Sequence, residues 1–395
     1  MKKLLFVINS LTIGGSEKSL VSLLNLINYS KYSVDLLMLK RGEEFDKYIP
    51  NEVNILQPPK YYRYLYKYNS EVSIKEKLKF ILCRYKCSIG LRINGKILPL
   101  KNNQQIFYEN QKNILDSLEK KYDFAISYAQ GFPTYFVSDK VKANKKIAWI
   151  NCDYIHTAYD KKLDKNYYKN IDKIIAVSES GKKSILEVDR DYRNKVEVIK
   201  DIVNPELIQN MSSYDISELD ESCFNILTVA RLVKGYKGYD LAVKAAKILK
   251  NDGYNFKWYA VGDGHDRYEI EKIIKHYKLE ENFILLGSKD NPYPYMKKCD
   301  LYVQPSRVEG FGLTVIEAKI LKKLIVCTNF KTASELIVHN ENGLIVKMDE
   351  VSIADGIKKY INDEKFKNKI YSTLLREKCY DSINEINKLY KLFGD

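Results

Sequence analysis

The chain has 395 residues, of which 45% are hydrophobic and 29% are charged. This composition is typical of a globular protein and excludes disordered and fibrous ones, and the length exceeds what one hydrophobic core usually organises, so we expect two domains. The whole net charge of +14 lies within residues 1–200, because residues 201–395 are neutral. A basic first half predicts an anionic partner: nucleic acid, a phospholipid surface or a substrate that carries a pyrophosphate.

The cysteines and histidines predict a reduced protein without a metal site. The seven cysteines form no Cys-x-x-Cys pair and are odd in number, which argues against a disulfide framework and favours the cytoplasm. No two of the four histidines have a spacing that would bring them onto one helical face with a carboxylate.

No apolar run reaches the roughly 18 residues of a membrane-spanning helix. The short run at 4–8 precedes polar residues where a leader peptide would be cleaved, so we interpret it as a first strand.

Short apolar runs alternate with segments of helical periodicity, which is the pattern of parallel sheets covered by helices. The predicted strands of the first half are 4–9, 33–39, 124–128, 146–150, 173–177 and 196–199. Those of the second half are 225–230, 257–261, 283–286, 301–304 and 324–327, with helices near 240–251, 266–278 and 314–322. The break in the pattern at 201–205 and the polar stretch at 212–222 predict the boundary at 200–223. We therefore expect doubly wound domains at 1–200 and 201–375, and a C-terminal helix at 376–395 that packs toward the first domain.

Residues 60–101 do not follow this alternation. Tyrosines alternate with basic residues over 60–68, and Ser73 and Glu76 form a capping box before a helix. One face of this helix is apolar, and the basic residues lie mainly elsewhere; the two sets are Ile74, Leu78, Ile81, Leu82 and Tyr85, and Lys75, Lys77, Lys79, Arg84 and Lys86. The pattern fits a helix on an anionic bilayer surface and, equally, a helix packed on its own sheet.

The segment 305–318 follows an apolar strand and opens a helix. Gly310 and Gly312 let the backbone approach a ligand closely, and the amides at a helix start point outward at the positive end of its dipole. Such a terminus suits a diphosphate. The carboxylates of Glu309 and Glu317 can accept hydrogen bonds from sugar and ribose hydroxyls.

This segment resembles the E-x7-E signature of the family 4 (group 1) GT-B retaining glycosyltransferases of the bacterial surface-polysaccharide type. Glu309 and Glu317 stand eight positions apart, with Gly-Phe-Gly intact between them. The resemblance implies the GT-B fold, in which two Rossmann-like domains face each other across a cleft, with the acceptor in the first domain and the nucleotide sugar in the second. It implies Glu309 at the transferred sugar and Glu317 at the ribose, with donor contacts from Ser306, Gly310, Phe311, Gly312 and Leu313.

The segment 229–240 is similar to a second landmark of that family. The resemblance implies that Arg231 and Lys237 neutralise the charge of the departing diphosphate. The spacing is one residue longer than usual, so Lys234 competes with Lys237 for this role. Gly-rich turns after two strands are similar to further landmarks, and the glycines implied to line the donor are Gly15, Gly262 and Gly264.

The resemblance fails after the strand 146–150. Many members of the family carry a histidine there, close to the transferred sugar, whereas this chain has Asn151. Asn151 can still bond a sugar hydroxyl and is the fourth candidate catalytic residue, beside Glu309, Arg231 and Lys237. His156 follows in the same loop and remains its rival.

The resemblance implies a hexosyltransferase that moves a sugar, with retention, from a UDP- or GDP-linked donor to a saccharide in capsule, O-antigen or exopolysaccharide synthesis. The basic first half favours an acceptor linked to polyprenyl pyrophosphate and peripheral contact with an anionic membrane through residues 60–101. We expect no metal or other cofactor, no nucleic acid, and a cytoplasmic location at the inner membrane face. The alternatives are a sugar-nucleotide epimerase or hydrolase on the same fold, and a nucleic-acid-binding protein that uses the basic half.

Overall fold

The computed structural model describes residues 1–97, 102–378, 380 and 382–394, so the end of the predicted segment 60–101 lies outside the described residues. The chain forms two compact units. Unit 1 comprises Met1–Ile202 and Ile383–Asp395, and unit 2 comprises Val203–Ser382. Among the described helices, none has both the length and the hydropathy needed to cross a bilayer.

Unit 1 contains a parallel sheet with the strand order β3-β2-β1-β4-β5-β6-β7. The strands are β1 (Lys2–Ile8), β2 (Tyr32–Met38), β3 (Asn54–Leu56), β4 (Leu118–Ser127), β5 (Val141–Ile150), β6 (Lys173–Ala176) and β7 (Val196–Val198). Its helices begin with α1 (Gly15–Leu26), α2 (Lys60–Leu65), α3 (Ile74–Ile97) and α4 (Asn103–Gln111), and continue with α5 (Phe132–Lys140), α6 (Lys161–Tyr168) and α7 (Glu179–Val188). The strand order reverses between β1 and β4, so the loops after these strands border a crevice at the carboxyl edge.

Unit 2 repeats this design with the strand order β10-β9-β8-β11-β12-β13, again all parallel. The strands are β8 (Phe224–Val229), β9 (Phe256–Val261), β10 (Phe283–Gly287), β11 (Leu301–Gln304), β12 (Leu324–Thr328) and β13 (Leu344–Val346). The helices are α8 (Pro205–Met211), α9 (Lys234–Lys237), α10 (Tyr239–Asn251), α11 (Arg267–His276), α12 (Tyr293–Lys298), α13 (Leu313–Ile320), α14 (Ala333–Leu336), α15 (Glu350–Asn362) and α16 (Glu364–Arg376). Here the order reverses between β8 and β11.

The two doubly wound α/β units confirm the predicted fold class. The apolar runs form strands because burial on both faces of a parallel sheet demands continuous apolar sequence; Leu4 to Ile8 of β1 are all fully buried. The sequence patterns did not predict β3, because this three-residue strand lies at the sheet edge with Asn54 and Ile55 exposed.

The core of unit 1 is rich in tyrosine, and a buried carboxylate accepts hydrogen bonds from two of the tyrosine hydroxyls. Asp164 accepts hydrogen bonds from the hydroxyls of Tyr135 and Tyr154 and, at 2.8 Å, from Gln105 Nε2. Burial raises the pKa of Asp164 despite these bonds. Buried polar groups of this kind are tolerated because their hydrogen bonds are made inside the protein.

The last helix, α17 (Ser382–Phe393), packs on the edge of unit 1. The ring of Tyr390 stacks on Tyr32 at 5.2 Å, and that of Phe393 lies 4.7 Å from Phe124. The backbone amide of Lys200 donates to Glu385 Oε2 at 2.8 Å. Aromatic packing and a backbone contact therefore anchor the helix.

Helix α3 has two apolar sides. Its predicted capping box is present, since the Ser73 amide donates to Glu76 Oε2 at 2.8 Å and the Glu76 amide to Ser73 Oγ at 3.3 Å. One side is buried in the core of unit 1 and consists of Phe80, Cys83 and Cys87. The face predicted from the sequence is exposed instead, with Ile74, Leu78, Ile81, Leu82 and Tyr85 more than half accessible.

Candidate active site

The candidate site of unit 2 lies at the carboxyl ends of β8 and β11, where the strand order reverses. Ligands of doubly wound sheets bind at this point. The loop after β8 carries Arg231, Lys234 and Lys237, and the loop after β11 carries Ser306 and Glu309.

Glu309 is the centre of a hydrogen-bond network. Its Oε1 accepts from Gln304 Nε2 at 2.8 Å and from Ser306 Oγ at 2.6 Å. Lys237 Nζ lies 2.8 and 2.7 Å from Oε1 and Oε2. The Lys237 and Glu309 side chains are only 19% and 10% exposed, so water screens this ion pair weakly.

The extra residue before Lys237 is accommodated by the single turn of α9. Lys237 is the last residue of that turn, and Gly238 reverses the chain in the left-handed conformation, with φ +67°. Lys234 begins the turn, is exposed, and donates its backbone amide to Asp266 Oδ2 at 2.8 Å. Lys237 therefore reaches Glu309 and Lys234 does not. Arg231 is exposed on the same loop.

A second ion pair, which the sequence analysis missed, joins the two loops. Arg307 donates through Nη1 and Nη2 to the two carboxylate oxygens of Asp240 at 2.8 and 2.7 Å. Burial alone would raise the pKa of Asp240, but the bonds and charge of Arg307 hold it below its ordinary value. Paired, planar contacts of this type fix geometry as well as charge. Both residues lie inside the recognised segments, but nothing in their spacing marks them as partners.

Gly312 occupies the N-cap position of α13. It has φ +102° and makes no side-chain hydrogen bond to the first amides of the helix. The side chains of Phe311 and Leu313 are buried, and the Phe311 carbonyl accepts a bond from Thr332 Oγ1 at 2.8 Å. Only backbone groups of these residues are therefore placed to meet a ligand. Gly310, just before them, is half-buried.

Glu317 lies one helical turn inside α13 and is 1% exposed. Tyr293 Oη donates to its Oε1 at 2.9 Å. Tyr293 begins α12, outside the recognised segments, so no sequence pattern predicted this contact.

Gly262 and Gly264 have a structural reason for lacking a side chain. A Cβ on Gly262, whose φ is +143°, would lie 2.0 Å from the Ala230 carbonyl oxygen, and a Cβ on Gly264 would lie 2.5 Å from that of Leu232. These glycines let the loop after β9 lie against the loop that carries Arg231. Their contact with a donor stays a prediction.

The predicted residues of unit 1 lie at the carboxyl edge of its sheet. Gly15 is the first residue of α1, after β1. Asn151 follows β5, and its amide groups are engaged: its backbone N–H donates to Gln130 Oε1 at 3.0 Å and its Nδ2 to the Tyr128 carbonyl at 2.8 Å. Its Oδ1 is buried without a partner in the described part of the chain.

His156 lies on the same loop as Asn151, between β5 and α6. Its Nδ1 is 3.0 Å from Asp153 Oδ2.

The Asp189 and Asp191 carboxylates, which form an Asp-x-Asp sequence, both bind Lys165, at 2.9 and 3.1 Å. They are thus the partners of one lysine in an ion-pair cluster.

A family model described as glycosyl transferases group 1 matches residues 214–373, which lie within unit 2. The chain is 27% identical, over 97% of both chains, to a Campylobacter jejuni N-acetylgalactosamine-N,N'-diacetylbacillosaminyl-diphospho-undecaprenol 4-alpha-N-acetylgalactosaminyltransferase. It is 30% identical to the capsular polysaccharide biosynthesis glycosyltransferase CapM of Staphylococcus aureus, over 50% of this chain and 54% of that one.

Solved structures show the same fold over the whole chain. Staphylococcus aureus TarM superimposes with a TM-score of 0.67 at 18% identity, and Anabaena HepE with a TM-score of 0.70 at 16%, each over 100% of both chains. At these identities the likeness concerns the fold alone. Taken with the family match over residues 214–373 and the full-length relative, it supports a group 1 glycosyltransferase with the GT-B fold.

Proposed function

We propose that the protein transfers a sugar, with retention of anomeric configuration, from a nucleotide diphosphate donor to a lipid-linked saccharide during synthesis of a bacterial surface glycan. The full-length relative is named for an acceptor that carries diphospho-undecaprenol. A second relative, 25% identical over 96% of this chain, is also named for an undecaprenol-linked acceptor. The basic charge of residues 1–200 suits such an anionic substrate.

The observation that carries the donor assignment is the Lys237–Glu309 pair beside the amino end of α13. In this proposal Arg231, Lys237 and the helix amides stabilise the diphosphate as it departs. Glu309 accepts bonds from the transferred sugar, and Glu317 accepts them from the ribose. Protein cations thus supply the charge stabilisation that a divalent ion would otherwise provide, and we propose a UDP- or GDP-linked donor without a metal.

The surroundings of Glu309 favour an electrostatic role over a nucleophilic one. Gln304, Ser306 and Lys237 all direct hydrogen-bond donors at its carboxylate. These bonds stabilise the carboxylate and lower its nucleophilicity. In the proposed step the acceptor hydroxyl attacks the anomeric carbon on the face that the diphosphate leaves. The bond from that carbon to the phosphate oxygen breaks, and the departing oxygen takes the hydroxyl proton.

The exposed face of α3 is the proposed membrane contact. Its apolar side chains stand among Lys75, Lys77, Lys79, Arg84 and Lys86, all of them exposed. An apolar strip flanked by basic side chains fits an anionic lipid surface, where each Lys or Arg contributes about 1 kcal/mol. This contact would hold the protein at the inner face of the cytoplasmic membrane, where a polyprenyl-linked acceptor is found.

A nucleotide-release screen tests the proposal. UDP-, GDP- and ADP-sugars are each incubated with the protein, with and without undecaprenyl-diphosphate-linked saccharides, and the anomeric configuration of the product is read by NMR. We expect acceptor-dependent release from a UDP- or GDP-sugar, an α-linked product from an α-linked donor, and unchanged rates in chelator. Release without any acceptor would favour the hydrolase or epimerase alternative. Salt-sensitive RNA binding without any sugar transfer would favour the nucleic-acid alternative.

A further inference from the structure

The loop between β5 and α6 holds an exposed histidine on a buried carboxylate. The His156 side chain is 56% exposed, whereas that of Asp153 is 9% exposed. His156 Nδ1 lies 3.0 Å from Asp153 Oδ2, and Ser184 Oγ donates to Asp153 Oδ1 at 2.6 Å. Ser184 is itself held, because its Oγ accepts from the Ile155 amide at 2.9 Å. The carboxylate is thus fixed from α7 and orients the imidazole.

The rest of this loop is also tied down. Lys161 Nζ donates to the Tyr154 carbonyl and to Thr157 Oγ1, each at 2.6 Å, and lies 3.8 Å from the centre of the Tyr154 ring. Thr157 Oγ1 donates to the same carbonyl at 2.7 Å. Functional side chains are held in place by partners of this kind.

The hydrogen bond to Asp153 decides what His156 offers to a ligand. When the Nδ1–H of a neutral imidazole donates to the Asp153 carboxylate, Nε2 is left as a hydrogen-bond acceptor. Nε2 has no hydrogen-bond partner among the described residues. Sugar hydroxyls are the matching donors. The loop also lies at the carboxyl edge of the sheet of unit 1, the edge at which doubly wound sheets bind ligands.

We propose that His156, oriented by Asp153 and Ser184, binds a hydroxyl of the acceptor sugar through Nε2 and helps to select the acceptor. This inference rests on the proposed function. It assigns the acceptor side of that reaction to a residue of unit 1, whereas Glu309, Arg231 and Lys237 of unit 2 are assigned to the donor.

Two isosteric substitutions separate this role from a structural one. The amide of Gln reaches the position of Nε2, whereas that of Asn reaches only the position of Nδ1. The probe is the acceptor that wild type uses fastest among undecaprenyl-diphosphate-linked N-acetylglucosamine, N-acetylgalactosamine and N,N'-diacetylbacillosamine. His156→Asn and His156→Ala should raise the acceptor KM at least ten-fold with the donor KM unchanged, and His156→Gln should restore most of the affinity. Asp153→Asn should show a smaller rise, and His276→Asn, an exposed histidine of unit 2, none.

The outcomes separate the two levels of inference. An unchanged acceptor KM in His156→Ala, or rescue by Asn and not by Gln, would overturn the role of His156 and leave the proposed function standing. No transfer by wild type to any of the three acceptors would overturn the proposed function and this inference with it. A variant that unfolds at the same temperature as wild type is correctly folded, so misfolding does not explain its raised KM.

Discussion

Lys237 Nζ lies within 2.8 Å of both carboxylate oxygens of Glu309. The sequence assigned these residues separately, one to the diphosphate and the other to the transferred sugar, yet they form one ion pair. In the proposed reaction the diphosphate competes with Glu309 for Lys237. Donor binding and the release of Glu309 toward the sugar would therefore be coupled.

The energy of this pair can be measured with a double-mutant cycle. We expect Lys237→Met and Glu309→Gln to show a coupling of about 1–3 kcal/mol in urea unfolding, because removal of one partner leaves a weakly hydrated charge. The matched control is the Lys272–Glu269 pair, which is 53% exposed on both sides and should give less than about 1 kcal/mol. Equal coupling in the two cycles would contradict the assignment of a sequestered pair.

Arg231 is expected to act on turnover without affecting stability. Arg231→Ala should lower kcat about 10²–10³-fold, as the loss of one electrostatic donor to a developing anion does. Its thermal unfolding should match wild type because the side chain is exposed. Lys234→Ala, on the same loop, should leave kcat near the wild-type value. If Lys234→Ala is the more damaging change, then Lys234 is the phosphate ligand.

Tyr293 is expected to support Glu317. Tyr293→Phe removes a hydrogen bond from a buried carboxylate, so it should cost about 1–3 kcal/mol of unfolding free energy and raise the donor KM. Tyr295→Phe is the control: Tyr295 Oη donates at 2.6 Å to Glu218, which is 38% exposed and can recruit water instead. A donor KM that changes equally in both variants would remove Glu317 and Tyr293 from the donor site.

Asp201 should make stability depend on pH. Burial raises its pKa from the ordinary 3.8 to about 7, with Ser19 bonded to it. The folded protein therefore keeps a proton that the unfolded chain loses, so the stability present below pH 4 decreases as pH rises to about 7 and then levels off. Asp201→Asn should have a larger free energy of unfolding than wild type at pH 8, by about 2–4 kcal/mol, and should show no such gain at pH 4. A gain that is equal at both pH values would contradict this titration.

The basic residues of α3 should control membrane binding. Replacement of Lys75, Lys77, Lys79 and Arg84 by Gln should abolish sedimentation with phosphatidylglycerol vesicles, because several contributions of about 1 kcal/mol are lost together. Replacement of four exposed lysines of unit 2, Lys272, Lys275, Lys365 and Lys369, should leave binding unchanged. Equal losses in the two variants would indicate non-specific attraction. Vesicles of phosphatidylcholine alone should bind neither protein.

Much of the fold followed from the sequence, because its causes are local. Central strands such as β1 need continuous apolar runs, and these are visible in one dimension. The edge strand β3 was missed since it is short and largely exposed. The apolar outer face of α3 could be predicted from the sequence, but its exposure could not. A second apolar side of the helix, which includes Phe80 and Cys83, packs in the core instead.

The sequence by itself determined the fold class, the resemblance to the group 1 glycosyltransferases and the residue types of the candidate site, because glycines and carboxylates at fixed spacing in a strand–loop–helix segment express local requirements. Only the tertiary structure decided which side chains are bonded to each other. These pairs are Lys237 with Glu309, Arg307 with Asp240, Tyr293 with Glu317, and His156 with Asp153. Most of these partners stand tens of residues apart, and the order of the strands in the sheets brings their loops together. His156 and Asp153 are three residues apart, yet the second bond to the carboxylate comes from Ser184 on another helix.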